Sequence, residues 1–255
     1  MLINWFGCYS LLKKELYRFC KVYHQTIFSP VVNILLFLTV FSLSVGNHLT
    51  SIGHVSFNVF IASGLIMMAA MQNSFANSSS SFVMSKVMGH IVDYIIPPLN
   101  AWEIIIAFTI GAILRGLAVA IVSFITISLF IKLSIFNFYL LAFYLVFACS
   151  FLGMMGILCG LIANSFDQMS AVTSYLITPL TFLSGTFYSI SSLPAFWQKV
   201  AHYNPFFQMI DGFRYSITGF SDGNIAFGAC YLVLINIILI TTLYFLIKKG
   251  YGIKQ

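Results

Sequence analysis

Between positions 104 and 131 the chain runs for 28 residues with a single charged side chain, Arg115. Such a run fits one environment. Crossing a bilayer takes about 20 consecutive apolar residues, wound as a helix so that every backbone N–H and C=O is satisfied internally. Comparable runs occupy positions 27–45, 57–77, 138–162, 169–188 and 227–247. Charged residues make up 7% of the chain, against about 25% in a soluble domain, so the chain cannot cover a water-facing surface. The expectation is an all-α integral membrane protein, a single domain over residues 1–255 with six transmembrane helices.

The formal net charge is +6. In a membrane protein basic residues set topology and surface electrostatics, so this charge does not point to a nucleic-acid partner. Lys13, Lys14, Arg18, Lys21, Lys86, Lys248, Lys249 and Lys254 gather on one side of the six runs; Lys132, Lys199 and Arg214 fall on the other. The positive-inside rule then puts both termini, and the loop between runs two and three, in the cytoplasm. Trp5, Trp102 and Trp197 fall near the predicted interfaces, where indole rings prefer to sit.

Three segments lie outside the runs. In residues 9–25, Leu12, Leu16, Phe19 and Tyr23 recur at helical spacing with Lys14, Arg18 and Lys21 opposite, which predicts an amphipathic helix lying in the membrane interface or packed on its own protein. In the loop 79–103, Val83, Val87, Ile91 and Tyr94 form the apolar side of a short cytoplasmic helix that Pro97 and Pro98 stop. Such a helix either docks into a partner's groove or rests on the membrane. Residues 189–225 open with "SISSLPAFWQKVAHYNPF", too broken and polar for a span, too aromatic for a free loop. They predict a pair of short helices dipping back into the membrane from the outer side, shielded by protein.

Catalytic signatures are missing from the chain. No GxxxxGK[ST] occurs, so ATP hydrolysis is not expected of it. No HExxH occurs, and His24, His48, His54, His90 and His202 lack metal-ligand spacing, so no metal or cofactor is assigned to it. "GFSDG" at 219–223 matches GxSxG in letters only, because that motif needs a strand-to-helix turn. Cys8, Cys20, Cys149, Cys159 and Cys230 form no CxxC pair and read as buried free thiols.

Arg115 is the most expensive residue. An arginine inside a span faces a bundle interior or a wet cavity and is functional by default; the other reading is a structural arginine bonded to backbone carbonyls. In run five, Ser170, Ser174, Thr178, Thr181, Gly185 and Tyr188 follow steps of three and four, one helical face that packs against another helix or lines a pathway. Pro179 is expected to bend it. Gly156 and Gly160 form a GxxxG pair suited to close helix packing. Gln72, Asn73, Ser74 and Asn77 make the cytoplasmic part of run two polar, either bonded inside the bundle or lining a vestibule.

This order of elements resembles the type-2 permeases of ATP-binding-cassette (ABC) transporters, the short bacterial members above all. The residues that carry the resemblance are "IVDYIIPPLNAWEII", "GAILRGL", "NSFDQMS" and "ITPLTFLSGTFYSISSLPAFWQKVAHYNPFFQMIDGFRY". The resemblance covers nearly the whole chain. It implies an inner-membrane permease that forms a homodimer, contacts membrane lipids and works with two cytoplasmic ATPase subunits that bind the ATP and Mg. The substrate would move outward by alternating access. Met84, Val87, His90, Ile91, Asp93 and Tyr94 would form the coupling surface, with Asp167 in a lesser contact. Phe187, Pro194, Phe196, Trp197, Asn204 and Pro205 would belong to an external gate. Asp93 stands alone where such loops often carry paired acidic residues, which implies weaker electrostatic docking. Lipids, glycolipids, drugs and polysaccharides all remain open as substrates. A rival class, an ion-coupled transporter or channel, would need intramembrane carboxylates or broken half-helices; a membrane-embedded enzyme would need His, Asp or Ser clustered at one depth.

Overall fold

The computed structural model describes residues 4–44, 51–91 and 99–252. The chain order is α1 (Trp5–Lys21), α2 (Ser29–Ser44), α3 (Phe57–Val87), α4 (Ala101–Ser128), α5 (Phe138–Ile162), α6 (Phe166–Val172), α7 (Thr178–Phe182), α8 (Ala195–Tyr203), α9 (Pro205–Thr218) and α10 (Ile225–Lys248). A small antiparallel hairpin, β1 (Ser51–Ile52) with β2 (Val55–Ser56), precedes α3 and is the only sheet among the described residues. Short polar side chains start the helices, as the sequence allows: Asn4, Asn137, Ser165 and Asn224 each accept a hydrogen bond from a backbone N–H in the first turn.

Five stretches are long and apolar enough to cross a membrane: His24–Ser44, Phe57–Val87, Ala101–Ser128, Phe138–Ile162 and Ile225–Lys248. Run five is not among them: its helical stretch covers 166–182, seventeen residues, which corrects the expected bounds of 169–188. It folds as α6, a π-turn over Thr173–Ile177, and α7, which ends at Phe182. The cause is Pro179. It has no N–H to give, and in a regular helix its ring would strike the carbonyl four residues back. The π-turn absorbs that clash, with the Thr178 N–H reaching Thr173 O. Gly185, at φ +71, then turns the chain away.

α3 is the central post, buried along most of its length and packed against α4 and α5. Small residues make that approach possible. A Cβ on Gly156 would meet Phe75 O at 2.5 Å, and one on Gly160 would meet Phe82 Cβ at 2.3 Å. Ser74 Oγ donates to Ala112 O at 3.0 Å across the α3–α4 seam. α3 also corrects the expected boundary near residue 77: it continues through Ser78–Ser81 to Val87, with Ser79 and Ser85 back-bonded to carbonyls one turn earlier. The first turns of the predicted coupling helix are therefore the end of α3.

The predicted amphipathic segment is α1, four residues earlier than expected at its start, and one face packs on α4 through Cys8, Leu11 and Glu15. Asn4 N donates to Glu103 Oε1 at 2.6 Å and Asn100 N to Glu103 Oε2 at 2.9 Å, so one buried carboxylate pins the starts of α1 and α4 together. Burial, and then the Glu103 carboxylate, push the Cys8 thiol above its ordinary value. Cys149 and Cys159 are buried as well, but Cys20 and Cys230 are exposed, because they lie on the outward faces of α1 and α10.

Candidate functional site

A cavity of about 660 Å³ lies between α2, α3 and the α6–α7 segment, with Arg18 and Arg115 in its wall. Both flanking segments are widened. α2 is preceded by a π-turn over His24–Phe28, and Pro30 follows that turn by two residues. Pro179 follows the second π-turn by the same interval. Thr26, Ser29, Thr173 and Ile177 face the cavity from these wide turns or beside them. Proline thus shapes the wall on both sides by forbidding a regular helical turn.

Arg18 reaches across from α1; its Nε has no acceptor among the described residues, but its Nη2 is well engaged. Its Nη2 donates to Glu15 Oε2 at 2.9 Å, to Asn77 O at 2.8 Å and to Asn77 Oδ1 at 3.0 Å. Ser81 Oγ donates to the other Glu15 oxygen at 2.6 Å. The result is a half-buried, hydrogen-bonded ion pair at the α1–α3 junction, with Glu15 fully buried and Arg18 partly exposed. Arg115 differs in having no ion pair among the described residues. It is 9% exposed, its Nη2 donates to Asn73 Oδ1 at 3.1 Å, and its buried Nε has no acceptor among the described residues. An arginine at a span centre costs about 2.5–3.5 kcal/mol on insertion scales. No carboxylate lies within ion-pair distance of Arg115 among the described residues to offset that. The polar half of α3 therefore serves both anticipated roles: Ser74 and Asn77 bond within the bundle, while Gln72 and Asn73 line the cavity.

The predicted stripe of run five does not share one face. Ser170 and Ser174 are exposed, Thr178 borders the cavity, Thr181 is buried, and Gly185 and Tyr188 lie beyond the helix. The π-turn explains this, because one extra residue in a turn rotates everything after it by about 100°.

Beyond α7 the chain closes into a compact polar knot. Phe187 stacks on Phe41 at 4.7 Å, joining this segment to α2. Pro194 precedes α8, where Phe196 and Trp197 are exposed. Asn204 joins three pieces: its Nδ2 donates to Leu180 O at 3.0 Å, and its Oδ1 accepts from Phe206 N at 3.0 Å, with Pro205 opening α9 between them. α9 is buried. On it Arg214 lies 3.6 Å over the Phe60 ring and donates to Gly185 O at 2.7 Å. Asp211 accepts from Asp222 N and Gly223 N, each at 2.9 Å. The Asp222 carboxylate in turn accepts from Ser189 Oγ and from Ile190 N. The literal GxSxG match is thus an α9–α10 turn braced by Asp211. Sequence reading gave Asp211 no role, and placed Arg214 only as an outer-side charge.

At the opposite end of α3, Met84 and Val87 are exposed, Val83 is buried, His90 is exposed and Ile91 packs against the core. Asp93 and Tyr94 lie outside the described residues, as do Pro97 and Pro98. Lys86 ties this end to α5: its Nζ donates to Leu161 O at 2.6 Å, to Ala163 O at 3.1 Å and to Asn164 Oδ1 at 3.3 Å. Asp167 stands exposed in the first turn of α6, next along the chain from that junction.

Residues 7–218 match the family described as ABC-2 type transporter. The chain is also 33% identical, over the whole of both chains, to the inner membrane transport permease YadH of Escherichia coli K12, and equally to that of Shigella flexneri. Five membrane-length helices, a match over most of the chain and 33% identity over the full length to a permease lead to one conclusion: the chain belongs to the ABC-2 type transporter family, as an integral membrane permease.

Proposed function

We propose that the chain is the membrane half of an ATP-driven exporter. Two copies and two cytoplasmic ATPase subunits would carry a lipophilic, glycolipid, drug or polysaccharide substrate outward by alternating access. The observation that carries the reading is the cavity: a space beside membrane-length helices whose wall mixes apolar and polar side chains and holds two arginines, flanked by two widened turns. In this reading six segments cross the inner membrane. The sixth is α6–α7 with its π-turn, seventeen residues or about 25 Å of helix at 1.5 Å per residue. Both termini face the cytoplasm. The end of α3 and the segment after it dock on the ATPase, with Asp167 nearby, and ATP and Mg bind there rather than here. α8 and α9 re-enter from outside and shield the outer mouth.

The ion-coupled alternative needs intramembrane carboxylates or broken half-helices as a coupling site; of these, a free carboxylate is the one that would bind the ion. The buried carboxylates of the described residues, Glu15, Glu103 and Asp211, are each engaged by internal donors, which favours the exporter.

The test is copurification in mild detergent with the ATPase encoded beside the gene. The complex should hydrolyse ATP and the isolated chain should not. In cells, a thiol reagent confined to the outside should label Lys199→Cys and leave Ser85→Cys untouched. Turnover by the isolated chain, or outside labelling at position 85, would overturn the reading.

A further inference from the structure

The cavity is graded along its length. α2 and α3 run antiparallel on either side of the hairpin, so the start of the shorter α2 lies level with the middle of α3. Near α1 the polar side chains gather, among apolar ones such as Val22, Phe75 and Met84: Gln25 from the π-turn, Ser29 and Asn33 from α2, and Gln72, Asn73 and Ser80 from α3. Toward the hairpin it is apolar: Ile34 and Phe37 from α2, Leu65 and Met68 from α3. A solute that fits such a wall is itself polar at one end and apolar at the other. Pockets of this size class take a small amphiphile or the head and first carbons of a larger one.

Charge sets the polar end. Arg18 is neutralised by Glu15. Arg115 has only the neutral Asn73 amide, and no Asp or Glu lines the cavity. The wall therefore carries one buried guanidinium that no carboxylate of the described residues meets within ion-pair distance; the nearby Glu15 carboxylate is already paired with Arg18. Asn73 and Asn77, which hold Arg115 and Arg18, lie one turn apart, about 6 Å along α3. A neutral solute leaves the Arg115 charge unmet and a cation is repelled. An oxyanion accepts from the guanidinium fork in a bidentate, charge-assisted pair. From this we infer that the cavity binds an amphiphile with an anionic phosphate-type headgroup, Arg115 being the residue that binds the anion. The inference rests on the exporter reading and narrows its substrate class.

The test uses the purified permease–ATPase complex in a neutral detergent, with bound molecules counted by native mass spectrometry. The probes are dodecyl phosphate, dodecylphosphocholine and inorganic phosphate. Dodecyl phosphate should bind about tenfold or more tightly than dodecylphosphocholine, the ratio that one charged hydrogen-bonded pair supplies. Inorganic phosphate at equal concentration should not displace it. Asn73→Asp is the decisive variant, because it keeps the shape, puts a carboxylate beside Arg115 and fills the place of the anion. It should abolish the preference while melting no lower than the parent; Arg115→Gln should abolish it too. Equal binding of the two amphiphiles, displacement by inorganic phosphate, or a preference surviving in Asn73→Asp would each overturn the inference. If Arg115→Gln does not fold, Asn73→Asp decides alone. Copurification and ATP turnover are read on the same sample, so loss of the ATPase would sink the exporter reading, whereas unselective binding by an active complex sinks only this inference.

Discussion

Pro30 and Pro179 occupy equivalent places on the two segments that flank the cavity, each two residues beyond a π-turn. Neither can donate to the helix ladder, and each displaces a carbonyl that a regular turn would hold. Replacing either with alanine restores the missing N–H and removes the clash. Pro30→Ala and Pro179→Ala should therefore melt no lower than the parent, while ATP turnover coupled to transport falls several-fold as the wall narrows. Differential scanning fluorimetry and turnover of the complex, read together, check this; unchanged turnover would show that the wide turns do not shape the path.

Gly156 sits where α5 touches the backbone of α3. Because its nearest neighbour is Phe75 O at 2.5 Å from an added Cβ, no side-chain rotation can relieve the contact. Gly156→Ala should lower stability by roughly 1–3 kcal/mol, the range for overpacking a tight core. The thermal midpoint of the purified variant is the measurement, and an unshifted midpoint would contradict so close an approach.

Lys86 ends α3 and caps α5 in one stroke. Lys86→Met leaves two backbone carbonyls, Leu161 O and Ala163 O, without their charged donor. The expected loss is about 1.5–3 kcal/mol, typical of hydrogen bonds to a charged group. Lys86→Arg should recover part of it. Denaturant titration of the three proteins gives the order parent, arginine, methionine; equal midpoints would mean the cap is immaterial.

Asp211 braces the turn before α10. Asp211→Asn retains one carbonyl oxygen where the carboxylate offers two, and it removes a negative charge near the buried Arg214. Hydrogen exchange at Asp222 and Gly223 should speed up by at least tenfold, the equivalent of about 1.4 kcal/mol of lost local protection. Exchange unchanged at both amides would place the brace elsewhere.

The coupling segment can be tested despite lying partly outside the described residues. If Ile91 and Tyr94 anchor it in a pocket of the ATPase, truncating both to alanine should weaken association by roughly 2–4 kcal/mol, as for other buried anchors. The variant should still insert, since insertion follows the apolar runs. A pull-down at matched expression that recovers the ATPase in normal amount would refute the docking role.

Much of this protein follows from composition and periodicity alone. A chain with 7% charged residues had to find a bilayer, and the positions of runs one, three, four and six lie close to the helices α2, α4, α5 and α10. The reason is that the hydrophobic length of a span is a one-dimensional property. Arg115 was visible as an anomaly for the same reason: one charge in an apolar run needs no tertiary information to stand out. What it touches was not visible. Its partner Asn73 lies 42 positions away on another helix, and whether that partner is neutral or acidic decides if the guanidinium is already satisfied. Arg18 shows the opposite case. Helical spacing set it on a polar face, yet the fold turns it inward to Glu15, Asn77 and the cavity, because α1 packs on α4 and beside α3. The stripe of run five failed through local geometry, since a 3.6-residue period assumes a regular helix and Pro179 does not allow one. Local rules place what depends on neighbours along the chain. The charge balance of the cavity depends on three helices meeting, and only the packed structure sets it.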